Sequence, residues 1–209
     1  LGNKNFLSSL DMSTEEVLHI LKLAKMLDEA GIEFILPIAR WKGYGGETDF
    51  QGSNLETISW SAGLLSGTKR ITVFSTAHTS FHHPIVAAKM FSTTDQISSG
   101  RFGLNVVCGW NAKEYEMFNI DLPDSHDVRY GYGQEWLDII KKIWATDIPF
   151  DWQGKYFDLR EVYGDPKPFN KSGPPIMNAG SSEQGQNFAA QNANYLFTVL
   201  VDIESGASS

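Results

Sequence analysis

The sequence has a single cysteine, Cys108, which excludes an internal disulfide and any thiolate-rich metal centre and predicts a reducing compartment. It is also short of positive charge: 17 Lys and Arg stand against 25 Asp and Glu, a net charge of −8, with a pI near 5.1. No basic cluster exceeds the Lys141-Lys142 pair. Binding a phosphate backbone or an anionic lipid surface needs concentrated positive charge, so neither nucleic acid nor membrane is an expected partner. No apolar run approaches the roughly 20 residues that span a bilayer. Leu1 to Ser9 has neither the basic region nor the apolar stretch of a signal peptide. These absences predict an acidic, cytoplasmic protein.

What is present is core-forming material. Of 209 residues, 42% are apolar and 12% aromatic, enough for a sizeable buried interior. Ser13-Thr14-Glu15-Glu16 reads as a capping box, after which Val17, Leu18, Leu21, Ala24, Met26 and Leu27 recur at helical spacing until Gly31. Strands are predicted at 34–38, 71–74, 102–107, 175–178 and 195–201, the first carrying an awkward Pro37. Helices are predicted at 54–65, from Pro84 to Ser99-Gly100, over 112–118 and 126–144 as a broken pair, and at 182–191. Pro84 sits at the favoured first-turn position. Trp152 to Phe157 reads as a hairpin or excursion.

Strand-helix alternation with short connections implies parallel βα units with right-handed crossovers, in a doubly wound sheet or a (β/α) barrel. A complete eight-stranded barrel takes about 250 residues. The five predicted strands therefore suggest one α/β domain over residues 1–209: an incomplete barrel, truncated at both ends, without its first strand and its last two or so.

Both architectures place ligands at the carboxyl ends of the strands. Polar or glycine-rich clusters follow four of them: Ala39 to Gly46, Ser75 to His78, Asn105 with Cys108 to Asn111, and Asn178 to Ser182. In the last, Gly180-Ser181-Ser182 opens a helix, where free amides, hydroxyls and the positive dipole end form an anion site, unless Ser182 serves as a cap alone. Gly43-x-Gly45-Gly46 lacks the context of a nucleotide loop and reads as a mobile loop over a pocket. Asn105, inside an apolar run, either props the interior or faces a polar ligand. His78 is a general acid/base, a ligand contact or a bland histidine. Adjacent His82 and His83 lack a third ligand at zinc spacing. Cys108 has no partner base and reads as a core or pocket-lining residue rather than a nucleophile. Arg129-Tyr130, opening a helix after Asp121, Asp124 and Asp127, either grips a phosphate or pairs with those carboxylates on the surface.

The run Pro84 to Glu116, containing Asp95-Gln-Ile-Ser-Ser-Gly100-Arg-Phe-Gly-Leu-Asn105-Val-Val-Cys-Gly109-Trp110, resembles the bacterial luciferase-like flavin monooxygenases. Arg40 to Phe50, Arg129-Tyr130-x-Tyr132, Phe150 to Phe157, Pro166-Lys167-Pro168 and Asn178 to Ser182 follow in that family's order. The likeness runs from about Thr14 to Ile203 and is nearest the alkanesulfonate, dimethylsulfone and pyrimidine monooxygenase branch. It implies a TIM barrel binding reduced FMN, supplied by a separate NAD(P)H-dependent flavin reductase in a two-component system. It implies oxygenation of a small organosulfur or heterocyclic substrate by O₂, and a homodimer. By position, Ala39 and Arg40 would lie beside the flavin ring with Thr76 near them. Asn105 and Glu114 would contact ring and ribityl chain, and Arg129, Tyr130 and Ser182 the phosphate. His78, Trp41 and Trp110 are the candidate catalytic residues, with Tyr44 beside them on the substrate side. Two alternatives stand: hydride transfer with the deazaflavin F420 on the same fold, and a non-catalytic, truncated flavin-binding relative.

Overall fold

A computed structural model describes residues 14–198, so the Ser13 half of the predicted capping box and the strand residues beyond 198 lie outside the described residues. The chain runs α1 (Thr14–Glu29), β1 (Phe34–Ile35), α2 (Thr57–Gly67), β2 (Thr72–His78), α3 (Pro84–Ser98), β3 (Phe102–Val107), α4 (Ala112–Met117) and α5 (His126–Ala145). A hairpin, β4 (Phe150–Gln153) and β5 (Asp158–Val162), precedes β6 (Ile176–Asn178), α6 (Glu183–Asn192) and β7 (Tyr195–Leu196). Five strands form one parallel sheet in the order β1-β2-β3-β6-β7.

Strand geometry sends alternate side chains to opposite faces. Val73, Ala77, Phe102, Leu104 and Val106 are buried on the helix-covered face. There Phe91 of α3 stacks on Phe102 at 5.8 Å and meets Trp136 of α5 edge-on at 6.1 Å. The other face carries the paired positions Phe74 and Gly103, Thr76 and Asn105, His78 and Val107. Gly103 admits the Phe74 ring, for a Cβ there would sit 2.5 Å from it. Phe74 also meets Phe34 of β1 and Tyr195 of β7, both edge-to-face at 5.7 Å. Strands at opposite edges of the sheet thus touch one ring, so the sheet is strongly curled: an incomplete barrel of the TIM type, with this face as its interior.

The sequence places α3 and β3 closely, because both have sharp punctuation. Pro84 opens α3, and Ser99, in the left-handed region at φ 54°, ends it. Other boundaries move. β1 stops at Ile35 because Pro37 offers no N–H to a ladder; its carbonyl instead accepts from Thr76 Oγ1 at 3.0 Å. β2 runs to His78 instead of stopping at Phe74, so Ser75 to His78 are strand residues and not a loop cluster. Their polar atoms are served internally: Thr57 Oγ1 donates to the Thr76 carbonyl at 2.6 Å, and Ser75 Oγ to Thr57 Oγ1 at 3.2 Å. α2 begins at Thr57, its first amides received by the Glu56 carboxylate at 2.8 Å. The expected excursion is the β4–β5 hairpin. Glu135 of α5 organises it, accepting from Trp152 Nε1 and from the amides of Lys155, Tyr156 and Phe157 at 3.0–3.1 Å. On α1 the apolar periodicity does not translate into burial: Ala24 is buried, but Leu18 is 59% and Met26 54% exposed.

Asp28, at the end of α1, joins that helix to the start of β2. Its carboxylate accepts from the amides of Lys69 (2.9 Å), Arg70 (2.8 Å) and Ile71 (2.6 Å). Burial by itself would raise its pKa, but these three donors and the Arg70 charge outweigh burial and hold it below the usual carboxylate range. Its contribution is therefore complete above the unfolded value of about 3.9 and is lost as the pH falls through the lower folded value. We expect Asp28→Asn to cost roughly 1–3 kcal/mol at pH 7. Urea midpoints should show the gap from wild type narrowing between pH 4 and pH 2.

Candidate active site

The carboxyl ends of β1, β2, β3 and β6 open on a cavity of about 610 Å³, within the roughly 300–1,000 Å³ of small-molecule sites. Nine of the eleven residues singled out from the sequence line it: Ala39, Arg40, Thr76, His78, Asn105, Trp110, Arg129, Tyr130 and Ser182. Trp41 lines a smaller adjoining cavity of about 160 Å³ that shares Ala39, Arg40 and Thr76 with the first. Glu114 lines neither. It is 1% exposed and turned toward the loop that follows β1.

A chain of hydrogen bonds sets the floor. Thr76 Oγ1 donates to the Pro37 carbonyl and accepts from Asn105 Nδ2 at 3.0 Å. That fixes the Asn105 amide and leaves its Oδ1 as a buried acceptor without a protein partner. Such an atom costs free energy unless a ligand N–H or a water satisfies it. Asn105 is thus tied into the interior through Thr76, and it also lines the cavity.

The far end of the cavity combines two helix starts. Ser182 caps α6, its Oγ accepting from the Gly185 amide at 3.2 Å, and the Tyr130 hydroxyl lies close to the same helix start. Gly180 and Gly185 lie backbone to backbone beneath that hydroxyl, and a Cβ on either would stand 2.6 Å from it. Only glycines allow this approach of loop, helix and phenol. Burial raises the pKa of the Tyr130 phenol, which keeps it a neutral donor. Arg129, in the first turn of α5, donates to the Gly109 carbonyl at 3.1 Å and to the Asp124 carbonyl at 2.9 Å. Both bonds are to backbone oxygens, so the surface pairing with aspartate carboxylates is not what holds it. Its Nε is buried without a partner.

None of the residues lining the main cavity is Asp or Glu, whereas Arg40 and Arg129 both are among them. In a chain of net charge −8, that makes this concavity an electropositive exception. At its mouth the Arg40 guanidinium lies 4.2 Å from the centroid of the half-exposed Trp110 ring. His126, given no site role from the sequence, also belongs to the wall, as does Asn178 of the expected 178–182 cluster. His126 lies three positions before Arg129 on the same helix, a spacing that puts both on one face. Cys108 lines the cavity too, but burial pushes its thiol up to about 12, which removes it as a nucleophile at neutral pH. No group of metal-ligating side chains occurs among the described residues, and none of their helices is long and apolar enough to cross a membrane.

A curled parallel sheet with a cavity at its carboxyl ends, its lining free of carboxylates, is the arrangement of a TIM-type barrel. The chain belongs to the luciferase-like monooxygenase family, whose profile matches residues 5–208. It is 38% identical over 177 residues to the pyrimidine monooxygenase RutA of Acinetobacter baylyi, covering 84% of this chain and 47% of that one. Among solved structures it is similar to EDTA monooxygenase from Chelativorans sp. BNC1, with a TM-score of 0.83, 20% identity, and coverage of 92% of this chain and 51% of that one. A riboflavin lyase solved with modified FMN and riboflavin gives a TM-score of 0.83 at 21% identity, over 92% of this chain and 49% of that one. The chain spans about half the length of the curated relatives it matches.

His78 is buried at the end of β2, its Nε2 3.9 Å from Glu114 Oε2. Burial, then the charges of His82 and Arg40, lower its pKa to about 4, so the ring is neutral at pH 7 despite the nearby carboxylate. It can offer or accept a hydrogen bond there, but it is not a protonated acid. Protonating it disfavours the folded state, so stability should decline as the pH falls from about 6.5, the unfolded value, toward 4. NMR titration should show the His78 ring signals unmoved between pH 5.5 and 8. His78→Gln should flatten the stability profile over pH 4 to 6.5.

Proposed function

We propose that this chain binds FMN in the cavity at its strand ends and serves as the flavin- and substrate-holding part of a monooxygenase acting on a small heterocycle. The observation that carries this reading is a cavity wall free of carboxylates whose residues include both a side-chain amide, Asn105, and cationic donors, Arg40 and Arg129. FMN needs both kinds of group, since its ring carries an N–H and its tail is a dianion. Arg129, Tyr130, Ser182 and the first-turn amides of α6 would hold the phosphate. Ala39, Arg40, Thr76 and Asn105 would meet the ring system. Bound reduced FMN supplies the electrons for activating O₂, one oxygen atom going to substrate and the other to water. The chain's own share is to orient the flavin, exclude water and present a neutral His78, Trp41 and Trp110 toward the substrate side.

The heterocyclic substrate class is supported by the 38% identity to a protein named pyrimidine monooxygenase. A separate NAD(P)H-dependent reductase as source of reduced flavin, and a single barrel domain in which this chain contributes the flavin-holding strands, complete the proposal.

Flavin fluorescence quenching tests the cofactor assignment. Arg129→Ala and Ser182→Ala should each weaken FMN binding by roughly 1–3 kcal/mol, about five- to 150-fold. Riboflavin, which lacks the phosphate, should bind wild type and variants alike. FMN affinity unchanged in both variants would overturn the phosphate site. Oxygen uptake with a reductase, NADH, FMN and uracil tests turnover: uptake that yields hydrogen peroxide and no oxygenated pyrimidine would leave a flavin-binding protein and sink the monooxygenase reading.

A further inference from the structure

The loop that follows β1, residues 40–53, is folded on itself at the mouth of the cavity. Arg40 Nε donates to Gln51 Oε1 at 2.9 Å and its NH2 to the Tyr44 hydroxyl at 2.6 Å. Tyr44 stacks on Phe50 at 6.1 Å and its amide donates to the Phe50 carbonyl at 3.1 Å. The loop is attached to the β3–α4 segment and to the turn after β2, where Trp41 meets Phe81 edge-on at 6.4 Å. Arg40 lies over Trp110, and Trp41 meets Phe118 edge-on at 5.2 Å.

Glu114, in α4, stands beneath that attachment. Its Oε1 accepts from the Trp41 amide at 3.0 Å and from the Lys42 amide at 3.5 Å, donors more than 70 positions away in sequence. The same oxygen lies 3.9 Å from Arg40 NH1. Oε2 is buried without a hydrogen-bond partner and faces His78, which is neutral. A buried carboxylate carries a desolvation cost that its partners must offset. It is kept here where it can grip the backbone of two consecutive loop residues.

We propose that Glu114 is a positioning residue: through the Trp41 and Lys42 amides it anchors the 40–53 loop, and so fixes Arg40 at the mouth. The position of Arg40 matters because it lines both cavities and is the cation nearest the end of β1. A charge held in advance, stacked on Trp110 and tied to Gln51 and Tyr44, needs no reorganisation when negative charge develops beside it. That consequence for chemistry rests on the proposed function. The anchoring does not, since it involves protein atoms alone.

Two substitutions separate reach from charge. Glu114→Asp keeps the charge but is one methylene shorter and cannot receive both amides. Glu114→Gln keeps the reach and an acceptor oxygen but loses the charge. Hydrogen exchange measured on the flavin-free protein should show residues 40–53 exchanging about tenfold faster in Glu114→Asp and within about twofold of wild type in Glu114→Gln. Exchange over β3 should be unchanged in both, which reports that each variant is folded. The proposal stands only on that pattern. Loop protection retained in Glu114→Asp, or lost in Glu114→Gln, overturns it, and because no flavin is present, failure of the cofactor assignment would not alter the result.

Discussion

Everything at the site follows from the way β2 and β3 are sandwiched. Six consecutive positions pair between them, from Val73 with Phe102 to His78 with Val107. One face is sealed by α3 and α5, and the other turns into the curl of the sheet. Parallel strands covered on both faces are normally apolar throughout, yet here Ser75, Thr76, His78 and Asn105 are all buried. Each buried polar group must find a partner or bear a desolvation cost. Thr57 serves Ser75 and the Thr76 backbone, Pro37 serves Thr76, and Thr76 serves Asn105. The series ends at an Asn105 oxygen without a protein partner, in a residue that lines the cavity. The packing of the core thus decides which atom is left unpaired.

What could be read from the residues was what strong local chemistry dictates. A proline at the first turn and a left-handed serine before a glycine bracket α3 so tightly that its ends were legible. Ser182 was legible as both cap and site because a helix start creates both roles from the same orphan amides. β2 was misjudged in length because Ser75, Thr76 and His78 carry loop-like chemistry, and their burial depends on Thr57 and Pro37, which are distant in sequence. Glu135 and Asp28 went unnoticed for the same reason: a carboxylate that gathers three amides from a distant turn looks, in sequence, like any helix-surface acid. On α1 the apolar spacing was read correctly as a helix. Spacing shows that an apolar stripe exists but not what covers it, and Leu18 and Met26 remain exposed among the described residues.

Charge distribution tells a related story. The excess of acid counts against an anionic ligand when it is spread over the whole chain. The fold, however, keeps carboxylates off the main cavity wall while bringing Arg40 and Arg129 to it from segments 89 positions apart. Net charge governs long-range behaviour, whereas a concave site of low dielectric responds to the few charges that line it. An acidic protein can therefore hold a dianionic cofactor without contradiction.

Glu114 is the instructive exception, a carboxylate just behind that wall. Position alone would group it with the ligand contacts, since Asn105, Trp110 and Glu114 lie in one short stretch. Its oxygens, however, are directed at the backbone of Trp41 and Lys42 and toward His78. A neutral imidazole does not cancel its charge, and Arg40 at 3.9 Å is beyond a close hydrogen bond. The two amide donors and the Arg40 charge, all from the same loop, therefore compensate it together, which ties the energetic cost of burying the carboxylate to the place of the loop. If the loop shifts, the carboxylate is left uncompensated; if the carboxylate is lost, two amides are left without acceptors. That mutual dependence couples α4 to the loop carrying Arg40, and it makes the mouth of the cavity a fixed part of the barrel rather than an independent flap.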